Sequence, residues 1–227
     1  MSLDLSVVIP AYNEAERLPR SLERILVYLA AWGGSHEVVV IDDGSSDATA
    51  ERARGVAGDL VRVLQNPGNR GKGYSVRRGM LVARGARRLM TDADLSTPIE
   101  DLPRLMAKMD EGVPVVIGSR ALSESRIEVH QPWYRENMGR VFNLFVRLLL
   151  APDLHDTQCG FKLFSAQAAE AVFRLARMDG FVFDVEALFL AQRHGLCVAE
   201  VPVTWRNDAG ETIHGLRHPN IVRAIDM

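Results

Sequence analysis

Leu89 to Pro98 reads LMTDADLSTP. A short apolar approach ends in two carboxylates, Asp92 and Asp94, two residues apart. Alternate side chains of an extended backbone share a face, so the pair can converge on one point. Behind them, Thr97 suits a helix N-cap, Pro98 the first helical position and Glu100 the far side of a capping box. The acidic pair is therefore expected at a strand end just before a loop and helix, where open α/β sheets place ligands. Paired oxygen donors there suit Mg²⁺ or Mn²⁺, which keep waters and take further ligands from a substrate diphosphate. Taken alone, such a pair reads better as two surface loop aspartates. The neighbouring segments reverse that.

Upstream, Leu5 to Pro10 (LSVVIP) is a β-branched apolar run that reads as a buried strand opening into Ala11-Tyr12-Asn13-Glu14. Leu18, Leu22, Ile25, Leu26 and Leu29 follow helical spacing, and Gly33-Gly34 stops that helix. Glu37 to Ile41 is a second strand, ending in Asp42 and Asp43, with Asp47 placed to cap a helix over Ala48 to Val56. Val61 to Gln65 is a third, followed by Asn69-Arg70-Gly71-Lys72-Gly73 and a helix from about Tyr74 to Ala86. Strand and helix thus alternate up to the acidic pair, the pattern of a mostly parallel, doubly wound α/β sheet. The glycine-rich turn matches neither nucleotide-loop spacing. As a helix N-terminus with exposed amides and a lysine it can still hold an anion, through Arg70 and Lys72 above all.

Downstream, Val113 to Gly118 is another strand ending at Ser119-Arg120, and Ser123 to Pro132 is polar with few structural signals. Tyr134 to Leu150 is helical and apolar nearly all round over Val141 to Leu150, which fits a core helix or one lying on a membrane. Asp156 to Lys162 is a polar loop entering a strand over Phe161 to Phe164, and Ser165 caps the helix through Ala176. Asp184 either caps Val185 to Arg193 or takes part in chemistry. Cys197 to Trp205 alternates as one strand.

The chain has 227 residues and a formal net charge of −2, which gives no nucleic-acid signal. Two cysteines without a CxxC or Cys/His cluster argue against zinc and disulfides and favour a reducing compartment. No signal peptide and no apolar run of membrane-spanning length is visible, so a cytoplasmic protein with peripheral membrane contact is expected. No linker divides the chain. A single domain is expected, in two parts of about residues 1–120 and 121–227.

The segments Val7 to Glu14, Val38 to Thr49, Asn69 to Gly73, Asp92 to Pro98, Gly118 to Arg120 and Asp156 to Phe164 occur in this order. Together they resemble the family 2 inverting glycosyltransferases of GT-A fold, most of all the dolichyl-phosphate β-glucosyltransferase branch. That resemblance implies a UDP-sugar donor, a divalent metal (Mg²⁺ or Mn²⁺) and a polyprenyl-phosphate acceptor. Carried over, Pro10, Tyr12, Glu14, Asp42 and Asp43 line the nucleoside pocket, with Lys72 near the donor's nucleotide end. Asp92, Ala93 and Asp94 face the donor, with Asp94 on the metal. Arg120 and Arg135 hold the acceptor phosphate, and Asp156, Gln158 and Lys162 belong to the acceptor-side loop. Relatives often carry Gly-Ser-Lys where this chain has Gly210-Glu211-Thr212, and His214 is the nearby candidate to replace the missing cation. A phosphate acceptor is ionised near neutral pH, its second pKa being about 6, whereas a hydroxyl acceptor would make Asp156 or Asp184 the natural base. The other readings are transfer to a soluble phosphorylated or acidic acceptor, a metal-dependent nucleotidyltransferase, and a non-catalytic nucleotide-binding module.

Overall fold

A computed structural model describes residues 3–57, 60–129 and 154–206. Its centre is a seven-stranded sheet built from β1 (Leu3–Ala11), β2 (His36–Asp42), β3 (Val61–Gln65), β4 (Gly85–Thr91), β5 (Val115–Ser119), β7 (Phe161–Ser165) and β8 (Val198–Pro202). The order is β3-β2-β1-β4-β7-β5-β8. All neighbours run parallel except β7, which is antiparallel to both β4 and β5. The apolar runs without alternation predicted such burial on both faces. Along β1, Leu5, Val7 and Ile9 enter one core while Val8 enters the other.

Helices α1 (Leu18–Trp32), α2 (Thr49–Ala57) and α4 (Leu102–Asp110) cover the first face. The α1 stripe of Leu18, Leu22, Ile25 and Leu29 is fully buried there. Helices α3 (Lys72–Val82), α5 (Ala166–Phe173) and α6 (Phe183–Arg193) cover the second, with Val76, Met80, Val172 and Leu188 at its centre. β1 pairs with β2 on one side and β4 on the other, so strand order reverses between β1 and β4. Side chains just beyond the carboxyl ends of these strands therefore lie at the sheet's ligand-binding crevice.

Several local expectations are corrected. Thr97, Pro98 and Glu100 do not form a capping box: a single 3₁₀ turn (Ile99–Asp101) precedes α4, and neither carries a side-chain cap. Thr97 turns inward to Cys159 Sγ at 3.8 Å, and Glu100 is drawn out to a bidentate pair with Arg24. The helix after β3 starts at Lys72 and ends at Val82, because the chain from Gly85 passes so close to β1 that a Cβ there would lie 2.4 Å from Ser6 N. The expected single strand Cys197 to Trp205 divides at Val203. β9 (Thr204–Arg206) leaves the main sheet to pair with β6 (Arg126–Val129), a strand inside the stretch expected to lack structure. The Ser165 cap is present, its hydroxyl accepting the Ala168 amide. The apolar segment Val141 to Leu150, Arg135, the Gly210-Glu211-Thr212 stretch and His214 lie outside the described residues.

Candidate active site

Three strand ends meet at the crevice, and their loops brace one another. Beyond β1, Asn13 takes a positive φ of 55°, its amide donates to Ser45 Oγ (2.9 Å), and its side chain accepts from the Ser46 amide (2.9 Å). The Glu14 amide donates to Thr49 Oγ1 at 2.8 Å. Asp42 is buried and accepts from the Ser45 hydroxyl and from Gln65 Nε2. Asp43, also buried, accepts from Asn66 Nδ2 (2.7 Å) and from the backbone amides of Arg70 (3.0 Å) and Gly71 (2.8 Å). One carboxylate thereby fixes the whole glycine-rich turn. Pro10 is buried at the strand end and Tyr12 stands out at 40% exposure. The Glu14 carboxylate is gripped bidentately by Arg17 (2.7 and 2.6 Å), while burial raises its pKa.

The amides expected to hold an anion are already engaged. Those of Gly73 and Tyr74, at the start of α3, donate to the Asp179 carbonyl at 2.8 and 3.3 Å. A Cβ on Gly71 would lie 2.2 Å from that same oxygen, so glycine is required by close approach. The cations further along α3 and β4 are structural: Arg77 pairs with Asp179, Arg84 with Glu37, Arg87 with Asp110 and Arg88 with Glu170, while Arg78 donates to Asn66 Oδ1 and the Gln65 carbonyl. Of this turn, only the Lys72 side chain reaches the acidic pair.

Lys72 Nζ lies 2.7 Å from Asp92 Oδ1, a charge contact that leaves this buried oxygen without an aligned hydrogen bond. Burial works against the lysine's charge, but Asp92, Asp184 and Asp94 together raise its pKa. Asp94 accepts the Ser96 amide (2.9 Å) in a turn where Leu95 is held at a φ of 50°, an unfavourable backbone for leucine. Burial first, and then the Asp92 charge, push the Asp94 carboxyl up to about 6. Ala93 between them is buried. Gly160 lies directly against Asp92: a Cβ there would stand 1.9 Å from Oδ2.

Beneath this pair is a second one. Lys162 Nζ, buried, donates to Asp184 Oδ1 and to the Cys159 carbonyl, both at 2.5 Å. Asp184 does not cap α6, which starts at Phe183 behind Val182 with no side-chain cap. It is drawn inside by Lys162 instead, and burial raises its pKa against the pull of Lys162 and Lys72. Asp92, Asp94 and Asp184 thus face Lys72 and Lys162, leaving one carboxylate in excess.

On the β5 side, Arg120 and Asp156 form a saturated fork. Asp156 accepts from the Arg120 amide (2.9 Å), Nε (2.7 Å) and Nη2 (2.9 Å), and from the Gln158 amide (3.3 Å). Burial opposes ionisation of Asp156, yet these bonds hold its pKa below the ordinary 3.8. Its own amide donates to Glu200 on β8, and Arg120 stacks on Trp205 of β9 at 5.5 Å. Glu200 and Trp205 carried no site signal in the sequence, since their partners lie far along the chain, and Gly160 was legible only as part of the Asp156 to Phe164 segment.

The residues fit a divalent cation of the Mg²⁺ or Mn²⁺ kind. Asp94 is a half-buried carboxyl that makes no ion pair among the described residues, in a cluster with excess negative charge. Among the described residues no group of three or more His, Cys, Asp or Glu side chains could hold a metal. A site of this kind takes its other ligands from water and a substrate diphosphate.

A doubly wound sheet with an acidic pair and a lysine at its switch point has the frame of an enzyme that handles a nucleoside diphosphate. The chain belongs to glycosyl transferase family 2, whose family model matches residues 6–173. It is 38% identical over 227 residues to a dolichyl-phosphate beta-glucosyltransferase of Drosophila melanogaster, covering 93% of this chain and 70% of the relative. The human dolichyl-phosphate beta-glucosyltransferase is 35% identical over 224 residues, covering 92% and 69%. In fold, it is similar to glucosyl-3-phosphoglycerate synthase from Mycobacterium tuberculosis, crystallised with Mn²⁺, UDP and phosphoglyceric acid. That likeness has a TM-score of 0.72 at 21% identity, covering 94% of this chain and 73% of the other.

Proposed function

We propose that this glycosyltransferase moves glucose from UDP-glucose to dolichyl or another polyprenyl phosphate, inverting the anomeric carbon, with Mg²⁺ or Mn²⁺ held at Asp94. The observation that carries the donor half is the meeting of Asp94, Asp92 and Lys72 at the switch point of the sheet. The acceptor enters from the relatives, which share this chain over more than nine-tenths of its length.

In this reading, Lys72 exchanges Asp92 for the donor diphosphate and stabilises charge as it develops on the leaving UDP. Asp94 would hold a divalent cation, which would supply positive charge against the same leaving group. Asp43 and the braced β1 and β2 loops hold the nucleoside end. The Asp156 fork fixes the Arg120 guanidinium through Nε and Nη2. The remaining donors of its five are left for an acceptor phosphate. Of the two bases a hydroxyl acceptor would call for, Asp156 is held ionised by Arg120 and is a poor proton acceptor, and Asp184 is buried and paired with Lys162. This supports an acceptor that arrives already ionised.

The test is UDP release from a panel of UDP- and GDP-sugars with Mn²⁺ or Mg²⁺, with and without a short-chain polyprenyl phosphate. UDP-glucose turnover that depends on the lipid phosphate is expected. Turnover stimulated instead by phosphoglycerate would move the acceptor to soluble acids. No release from any sugar nucleotide by folded protein would overturn the reading.

A further inference from the structure

Because β7 runs against its neighbours, α5 returns toward the carboxyl edge of the sheet. The 174–182 connection between α5 and α6 therefore lies on the same side as the acidic pair. It packs on the Lys72 turn: the Asp179 carbonyl accepts the Gly73 and Tyr74 amides, and the Phe183 ring lies 6.0 Å from Lys72 Nζ. This connection carries four of the large apolar side chains exposed on the molecule: Leu175 (46%), Met178 (51%), Phe181 (63%) and Val182 (48%).

Local collapse does not hide them, because the backbone beneath is fixed. The Glu186 carboxylate accepts the Arg177 and Met178 amides at 2.8 Å each, and Leu175 and Ala176 donate back to Val172. The charges around the patch have a consistent sign. Asp179 is neutralised by Arg77, Glu170 by Arg174 and Arg88, and Glu186 is turned to the backbone amides. Among the described residues the exposed side chains of Arg177 and Arg70 make no ion pair, and Arg70 stacks on Tyr74 at 4.8 Å. An apolar tip with unpaired arginines at its border matches the boundary between acyl chains and anionic headgroups.

We infer that the 174–182 connection is a membrane seat, which inserts Met178 and Phe181 into an anionic lipid surface beside the donor site. The inference rests on the lipid-phosphate reading for its purpose, since it would bring Lys72 and Asp94 to the level where a polyprenyl phosphate presents its headgroup. The seat itself is a property of the loop and is measured without substrate.

The experiment is flotation of the 227-residue chain with vesicles of equal parts phosphatidylcholine and phosphatidylserine, without donor or acceptor. The wild type is expected to float, and the double variant Met178→Glu/Phe181→Glu to lose binding by about tenfold or more. Its melting temperature should be unchanged. Arg177→Glu should weaken binding to these vesicles severalfold and leave binding to pure phosphatidylcholine unaltered. UDP release with a short, water-dispersible polyprenyl phosphate should survive in all variants, because none of these side chains touches the reacting groups. A double variant that floats like the wild type, or a wild type that stays in solution, overturns the seat. So does a wild-type dimer that the double variant returns to monomer without changing flotation, since the patch would then cover a second copy. Failure of UDP release with flotation intact counts against the proposed function alone.

Discussion

Lys72–Asp92 and Arg120–Asp156 are both cation–carboxylate pairs at the mouth of the same sheet, and they are built to opposite ends. The first is a single contact between half-buried side chains, with Asp94 and Asp184 crowding around it. The second is a bidentate fork closed by two further amides, with Asp156 buried. A pair held by one contact in surplus negative charge is ready to be exchanged for a diphosphate and a cation. A pair with every acceptor lone pair used keeps its shape and presents the outer side of the arginine. Charge alone does not distinguish a group that works from a group that holds. The number of bonds does.

The comparison breaks first at Asp94. Asp94→Asn should lower UDP release on the order of a thousandfold with the fold intact, read by turnover and by circular dichroism. Lys72→Ala should follow, with a loss on the order of a hundredfold. Gly160→Ala tests how firmly Asp92 must be placed, because the new methyl would stand 1.9 Å from its Oδ2 and push the carboxylate aside. A loss of roughly tenfold to a hundredfold in turnover is expected from that displacement, with little change in melting temperature.

The alternation of buried strands and helices, the switch-point acids and the Ser165 cap were all legible, because each rests on residues close in sequence. What was not legible rests on distant partners. Asp184 looks like a helix cap until Lys162, 22 positions away, draws it inward. Arg120 looks like a free cation until Asp156, 36 positions away, closes on it. The Thr97-Pro98-Glu100 signal was overridden by tertiary contacts to Cys159 and Arg24. The glycine-rich turn reads as an anion cradle only while Asp43 and Asp179 are ignored.

Arg120–Asp156 should register in stability as well as rate. Asp156→Asn should cost about 2–3 kcal/mol in urea unfolding, less than a fully buried pair because the Arg120 side chain is 30% exposed. The Asp156 pKa is depressed in the folded state, so its contribution is full above the ordinary value of 3.8 and lost as pH falls below it. The asparagine variant should accordingly show a flatter acid limb of stability. At the small end, Ser165→Ala should cost about 1 kcal/mol as a true cap. Glu100→Ala, removing only an exposed pair with Arg24, should stay within about 0.5 kcal/mol in the same assay.

The most direct test of the central claim is the product itself. UDP-glucose, polyprenyl phosphate and Mn²⁺ are incubated with the wild type and with Asp94→Asn, and the anomeric proton of the glycolipid is read by NMR. A β-linked glucosyl phosphate formed by the wild type and absent with Asp94→Asn is the predicted result. An α-linked product, or equal product from the Asp94→Asn protein, would contradict the account.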